Sequence, residues 1–193
     1  MKAFDVIVAD PPWKTTDKNA NGKRGAQLKY SCMPTADICQ MQLPVISEDA
    51  WLFIWKIACM PVDAYQVAKA WGFIVKAEIV WQKLTKNGAP HFGLGHYTRG
   101  SHETCIIATR GKVKPSNRGV RSIFAAKMPV EPAITKKSKP ATKYIHSAKP
   151  DEFYKLVEKL TGPGLARVEM FGRRQRRGWT VLGNEATKFQ EAI

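Results

Sequence analysis

The chain predicts an α/β fold, an open sheet with helices on both of its faces. Three observations carry that reading. Apolar runs of strand length recur along the chain. Segments of helical periodicity lie between several of them. With 193 residues, 44% of them apolar, the chain can bury one full core. One domain is therefore expected over residues 1–193, with basic loops at about 14–35 and 110–148. In folds of this class ligands sit beyond the carboxyl ends of the strands.

The elements follow in order. Phe4 to Ala9 is a short buried strand, rich in β-branched residues and uncharged after Asp5. Residues 14 to 36 are polar, basic and glycine-bearing, which predicts a loop, and a short helix follows near Ala36–Met41. "AWLFIWK" from Ala50 is a second buried strand. Pro61 suits a helix start, and Val62, Tyr65, Ala68 and Trp71 share one face before Gly72 ends the helix. "FIVKAEIVWQK" is a third strand and "ETCIIAT", Glu103 to Thr109, a fourth. Residues 110 to 150 are dominated by lysine and proline after a brief apolar patch at "SIFAA", and predict a flexible basic loop. "KPDEFYKLVEKL" is a helix from Pro150, with Phe153, Leu156, Val157 and Leu160 inward and Asp151 and Glu152 in its first turn. "TGPG" ends it, "LARVEMFG" is a further buried strand, and "TVLGNEA" a last short one.

Charge narrows the function classes. Thirty-one Lys+Arg against sixteen Asp+Glu leave +15, with a pI near 9.8. Such an excess attracts polyanions, nucleic acid before anionic membrane. The basic clusters Lys14/Lys18/Lys23/Arg24/Lys29, Arg110/Lys112/Lys114/Arg118/Arg121, Lys136/Lys137/Lys139/Lys143 and Arg173/Arg174/Arg176/Arg177 fall in expected loops. They read as a phosphate-binding rim around the strand-end cleft rather than as a merely solvated face. The start is too short and too acidic for a signal peptide, and no apolar run has membrane-spanning length, so the cytoplasm is the expected compartment and no membrane partner is expected. Cys32, Cys39, Cys59 and Cys105 form no CxxC pair. The four histidines share no ligand spacing, so no metal site is expected. A metal-dependent nuclease is disfavoured because no dense carboxylate cluster is visible.

The stretch "VIVADPPWKTT" at 6–16 raises the chemical question. Two consecutive prolines fix φ twice and donate no hydrogen bond, so their carbonyls are free acceptors in a rigid turn. Asp10 adds a carboxylate and Trp13 a flat apolar face. The group suits a planar molecule with an exocyclic amine, adenine above all. Acceptors that hold both amino hydrogens out of the ring plane localise the nitrogen lone pair toward an electrophile. The bland alternative is a tight turn closed by a buried tryptophan. Trp51, Trp55, Trp71 and Trp81 are assigned to the core. Glu103 opens its strand either facing the cleft or in a structural salt bridge.

"DPPW" with "YSCMP" at Tyr30–Pro34, "LFIW" at Leu52–Trp55, "AWGF" at Ala70–Phe73, "HE" at His102–Glu103, "HSAKPDEFY" at His146–Tyr154, "VEMFGRR" at Val168–Arg174 and "GWTVLGNE" at Gly178–Glu185 form a collinear set. In these motifs the chain resembles the MT-A type N6-adenine methyltransferases, the family of the catalytic subunit of the eukaryotic messenger-RNA adenosine methyltransferase. The resemblance implies a Rossmann-like fold using S-adenosyl-L-methionine, with a permuted, beta-class motif order. It implies Asp10, Pro11, Pro12 and Trp13 as the catalytic group. It implies Asp10, Lys149, Phe171, Arg173, Asn184 and Glu185 as cofactor-binding, with Asn184 and Glu185 at the ribose and Lys149 at the carboxylate end. Tyr30 matches a mobile aromatic beside the site, and Lys136, Lys137 and Lys139 lie in an insertion expected to bind substrate. Only nine residues precede Asp10, whereas longer members place part of the adenine pocket upstream.

The expected activity is methyl transfer to the N6 amine of adenine in DNA, on the likeness of the short chain and its ending to prokaryotic and phage members. RNA is the rival substrate within the class. A catalytically silent nucleic-acid-binding subunit is the rival from another class, opposed by the intact DPPW and "GNE" motifs. Homo- or hetero-oligomers are both compatible with the sequence.

Overall fold

A computed structural model describes residues 3–15, 32–95, 97–134, 140–145 and 148–183. Its centre is a seven-stranded sheet of β1 (Phe4–Ala9), β2 (Ile46–Lys56), β3 (Ile74–Leu84), β4 (His102–Arg110), β5 (Ile123–Lys127), β8 (Arg167–Met170) and β9 (Trp179–Leu182). The spatial order is β5-β3-β4-β2-β1-β8-β9. Every adjacent pair is parallel except those of β4, which runs against both β2 and β3. Strands β6 (Val130–Ile134) and β7 (Pro140–Tyr144) form a separate antiparallel hairpin.

The apolar runs become central strands because both of their faces are covered. Odd and even residues of β1 and β2 enter opposite cores. Ile7, Ala9, Leu52 and Ile54 pack with Ile38 of helix α1 (Thr35–Gln40) and Ala64, Val67 and Ala68 of α2 (Asp63–Ala70). Val6, Val8, Phe53 and Trp55 pack on the other face with Phe153, Tyr154 and Val157 of α3 (Asp151–Thr161). Helices thus lie on both faces, as the sequence predicts. Helix α3 starts after Pro150 (φ −72°, ψ 151°), carries Asp151 and Glu152 in its first turn, and stops at Gly162, whose φ of 91° suits only glycine. Its inward face is Phe153, Tyr154 and Val157, with Leu156 and Leu160 packed at the margin.

Three expectations are corrected. Strand β2 begins at Ile46, before the apolar run, because its polar first half pairs at Ile46 with Phe4. The described residues of 110–148 are not a continuous loop: β5 joins the sheet edge beside β3, and β6 and β7 pair as an antiparallel hairpin. Pairing, rather than local apolarity, orders this segment. Finally, Arg110 and Lys112 do not border the strand-end cleft. The reversed direction of β4 carries them to the opposite end of the strands, where Arg110 Nη2 donates to the carbonyls of Ile46 (3.0 Å) and Ser47 (2.7 Å). There the Lys112 amide donates to Asp49 Oδ1 at 2.5 Å. Among the described residues no helix is long and apolar enough to cross a membrane.

Phe153 anchors α3, fully buried between Phe53, Trp55 and Tyr154. Phe153→Ala is expected to destabilise the fold by about 4 kcal/mol. A drop in the urea midpoint with an unchanged slope checks this; an unaltered midpoint would contradict the packing described.

Candidate active site

The carboxyl ends of β1, β2, β3 and β8 open into one cleft of about 570 Å³, lined among others by Asp10, Pro11, Pro12, Trp13, Trp55 and Phe171. Because β4 is reversed, its first residues also reach this end, with Thr104 opposite Lys56 and His102 opposite Gln82. Glu103 therefore enters the cleft from a strand that starts where its neighbours finish.

At the end of β1 the chain turns tightly. The Trp13 amide donates to the Pro11 carbonyl (2.9 Å), closing a turn around Pro12. The Met33 amide donates to the Pro12 carbonyl (2.7 Å) and the Lys14 amide to the Met33 carbonyl (3.0 Å). The proline carbonyls are thus not free, as the sequence reading has it. Each accepts one backbone hydrogen bond and keeps a second lone pair. The expectation for Trp13 is corrected as well. Its side chain is buried in the α1/α2 core, and Nε1 donates to the Trp55 carbonyl at 3.1 Å. It bolts the turn to β2 and contributes to the cleft wall rather than standing as an open platform.

Charge organises the cleft. Lys149 Nζ lies 2.6 Å from Asp10 Oδ2 and 3.3 Å from Glu103 Oε2, while Lys83 Nζ lies 2.5 Å from Glu103 Oε1. The Lys149 side chain is only 6% exposed, against 28% for Asp10 and 27% for Glu103. Burial opposes the Lys149 ammonium, but Asp10 and Glu103 outweigh it and raise its pKa. Burial likewise opposes ionised Glu103, yet Lys149 and Lys83 hold its carboxyl below the usual value. For Asp10 burial prevails over the pull of Lys149, and the carboxyl is raised. The Lys149 ammonium also lies 5.0 Å above the Trp55 ring.

The opposite wall comes from the end of β8. Phe171 has a φ of 64°, a conformation costly for a non-glycine residue, and packs on the α1/α2 core beside the cleft. Gly172 follows, where a Cβ would strike Val181 and the Glu169 side chain, so the β8 and β9 chains can meet. Arg173 then returns to the cleft. Beneath it Tyr154 donates to Glu169 Oε1 (2.6 Å), and the Arg176 guanidinium lies 3.5 Å from the Tyr154 ring centre. Burial raises the Glu169 carboxyl, partly offset by that hydrogen bond.

Thus Asp10, Pro11, Pro12, Trp13, Lys149, Phe171 and Arg173 are brought together. Tyr30, Lys136, Lys137, Lys139, Asn184 and Glu185 lie outside the described residues. Glu103 satisfies both of its sequence readings, cleft residue and salt bridge. Trp55 is core, as expected, but also cleft wall. The sequence reading missed Lys83, whose signal was its place at the last position of the expected third strand. It also missed Glu169, a lone acid inside an apolar run. Among the described residues no group of histidine, cysteine or carboxylate side chains could hold a metal ion.

Lys149→Met is expected to leave two facing carboxylates without their shared cation, raising both pKa values and destabilising the protein by about 3 kcal/mol at neutral pH. Carboxyl titration by NMR with chemical denaturation checks both effects. In the wild type the lowered Glu103 pKa contributes stability above its ordinary 4.5, and this contribution is lost as pH falls through the folded-state value. The variant should lack that part of the acid dependence; identical acid profiles would contradict the ion network.

The MT-A70 family model matches residues 4–185. The human N(6)-adenosine-methyltransferase catalytic subunit METTL3 is 26% identical over 191 residues, which is 94% of this chain but 28% of that protein. The Type II methyltransferase M.MunI of Mycoplasma sp is 28% identical over 204 residues, 95% of this chain and 78% of that protein. The Drosophila melanogaster N(6)-adenosine-methyltransferase MT-A70-like protein is 25% identical, across 94% of this chain and 27% of its own length. The chain thus spans only about 28% of the METTL3 proteins it matches. With a family model covering nearly all of the chain, from the first strand through the cleft-forming end of β8, this protein belongs to the MT-A70 family, whose methyltransferases use S-adenosylmethionine as methyl donor.

Proposed function

We propose that this protein transfers a methyl group to the N6 amine of adenine in DNA. The observation that carries the reaction is the Asp10–Lys149 pair at the DPPW turn, in a cleft of about 570 Å³. The support for DNA is the likeness to the Type II methyltransferase M.MunI, 28% identical over 95% of this chain. The N(6)-adenosine-methyltransferase relatives favour RNA as the second reading.

The residues fit S-adenosylmethionine. The cleft pairs carboxylates and aromatic rings, suited to a sulfonium, with cations suited to a carboxylate. Among the described residues the Trp55 indole N–H, on a side chain of the cleft wall, is buried without a hydrogen-bond partner. Asp10 and Phe171 would border the methionine part, Arg173 its charged end, and Asn184 and Glu185 the ribose. The bound molecule supplies an electrophilic methyl group. The motif order is permuted: the DPPW strand precedes the cofactor strand, and its support is the direct parallel pairing of β1 with β8.

In this mechanism Lys149 holds Asp10 through Oδ2, leaving Oδ1 to accept a hydrogen from the adenine amine. The remaining lone pair of the Pro11 carbonyl accepts the second. Held in this way the amine directs its lone pair toward the methyl group. Methyl transfer would break the methyl–sulfur bond of the cofactor, with release of a neutral thioether; the methylated amine would then give up one proton, for which Asp10 Oδ1 would be the base. Burial raises the affinity of Asp10 for that proton. The connection of the β6–β7 hairpin, with Lys136, Lys137 and Lys139, is assigned to the phosphate backbone, where it positions the strand without reading bases.

Asp10→Ala is expected to lower methyl transfer at least ~1000-fold with the circular dichroism unchanged. The assay is labelled methyl from S-adenosylmethionine into matched DNA and RNA, with nucleoside mass spectrometry; labelling of RNA alone would replace the DNA reading. Charge reversal at Lys136, Lys137 and Lys139 should reduce the salt dependence of nucleic-acid binding by about one unit of slope for each phosphate no longer neutralised. An unchanged slope would remove the hairpin from the interface.

A further inference from the structure

Between β3 and β4 the chain makes an excursion whose apolar side chains have no place in either core. Phe92, Leu94 and Tyr97 are 68%, 93% and 102% exposed. Three bulky apolar side chains in six residues, all facing water, need a reason. The loop that carries them is built rather than slack. At its base the His91 amide donates to the Lys83 carbonyl (2.9 Å) and the Lys83 amide to the Ser101 carbonyl (2.8 Å). Its two legs touch at Gly93, where a Cβ would stand 2.5 Å from the Gly100 carbonyl oxygen. At Gly95 a Cβ would strike the Thr98 carbonyl. Arg99 Nη1 donates to the Gly95 carbonyl (3.3 Å), and its guanidinium lies 5.1 Å from the Phe92 ring centre. A closed neck thus carries Leu94 and Tyr97 beyond it.

The tip is rooted in the wall of the active-site cleft, since Lys83 at one base and Gly100 and His102 at the other all line it. The charge of the segment is one-sided. No aspartate or glutamate occurs between Glu78 and Glu103; Lys83 is paired with Glu103, and Lys86 and Arg99 add positive charge beyond that pair. The neighbouring hairpin reaches the same base, with the Tyr144 ring 6.4 Å from His91. An apolar point flanked by Lys86 and Arg99, beside the cleft of the proposed reaction, suits a polyanion with a stacked apolar interior. An adenine inside a duplex reaches such a cleft only by leaving the stack. Its departure opens a gap between base pairs that apolar side chains can fill, as intercalating wedges do elsewhere.

We propose that Leu94 and Tyr97 form a wedge that enters duplex DNA at the target base pair and holds the stack open, with Arg99 at the flanking phosphate. This rests on the DNA-adenine reading above. It adds the duplex form of the substrate and two residues outside the reacting group.

The test compares wild type with Leu94→Ser/Tyr97→Ser in two assays. In the first, methyl transfer is measured on native and on heat-denatured genomic DNA. The double variant is expected to lose at least ~10-fold on native DNA and nothing on denatured DNA, where no stack need be opened. Equal loss on both, or on neither, would overturn the wedge, as would a wild type that labels only denatured DNA or RNA. The second assay needs no catalysis: plasmid relaxed by topoisomerase in the presence of protein. Insertion by wild type should shift the topoisomers toward unwinding, and the variant should not, at concentrations where filter binding shows both bound. No shift with wild type would overturn the proposal. Unwinding without any methyl transfer would keep the wedge and remove the methyltransferase reading instead. A wild-type dimer that the substitutions dissolve, with unwinding unchanged, would make the tip a protein contact and overturn it too. Leu94→Met/Tyr97→Phe should match wild type throughout, and thermal melts of all three proteins guard against misfolding.

Discussion

The site depends on one buried cation held between two carboxylates. Lys149 is almost wholly removed from water, and an isolated ammonium in such a place is strongly unfavourable. It persists because Asp10 and Glu103 reach it from two different strands, and because Lys83 supports Glu103 from a third. That arrangement requires the direction of β4. Were β4 parallel to its neighbours, Glu103 would sit at the opposite end of the strands and Lys149 would meet Asp10 alone. The one reversed strand is therefore part of the chemistry as well as of the topology.

The same economy marks the DPPW turn. Its carbonyls and indole close the turn, tie it to Met33 and fasten it to β2 before they meet any ligand. Structural and chemical readings of the motif are usually set against each other. In the proposed function the rigidity supplied by the first would serve the second, because acceptors fixed before a substrate arrives need no rearrangement during reaction.

The net charge of +15 is not spread evenly over one binding face. Arg110 is used up on backbone carbonyls at the opposite end of the strands, and Arg176 holds Asp151 while it covers Tyr154. Lys143 pairs with Glu131 across the hairpin. Basic residues counted in a sequence thus divide into those that fasten the fold and those that remain for a polyanion. In the proposed function it is the basic charge left near the cleft, not the total, that would meet nucleic acid.

Much was legible in the sequence. The strand cores of β1, β2, β3 and β4, the helix from Pro150 and the strand-end position of Asp10 follow from local periodicity, proline placement and apolar runs. The collinear motifs also placed Asp10, Lys149, Phe171 and Arg173 in one site although 139 residues separate Asp10 from Lys149. Tertiary structure alone decided the rest, because strand direction and pairing depend on partners distant in the chain. It turned β4 around, sent Arg110 away from the cleft, recruited residues 123–127 to the sheet, joined Lys83 and Glu103 to the ion network and buried the Trp13 ring. A sequence lists which groups are available; only the packed sheet determines which of them share a cavity, and at that distance charge and hydrogen bonding take their meaning.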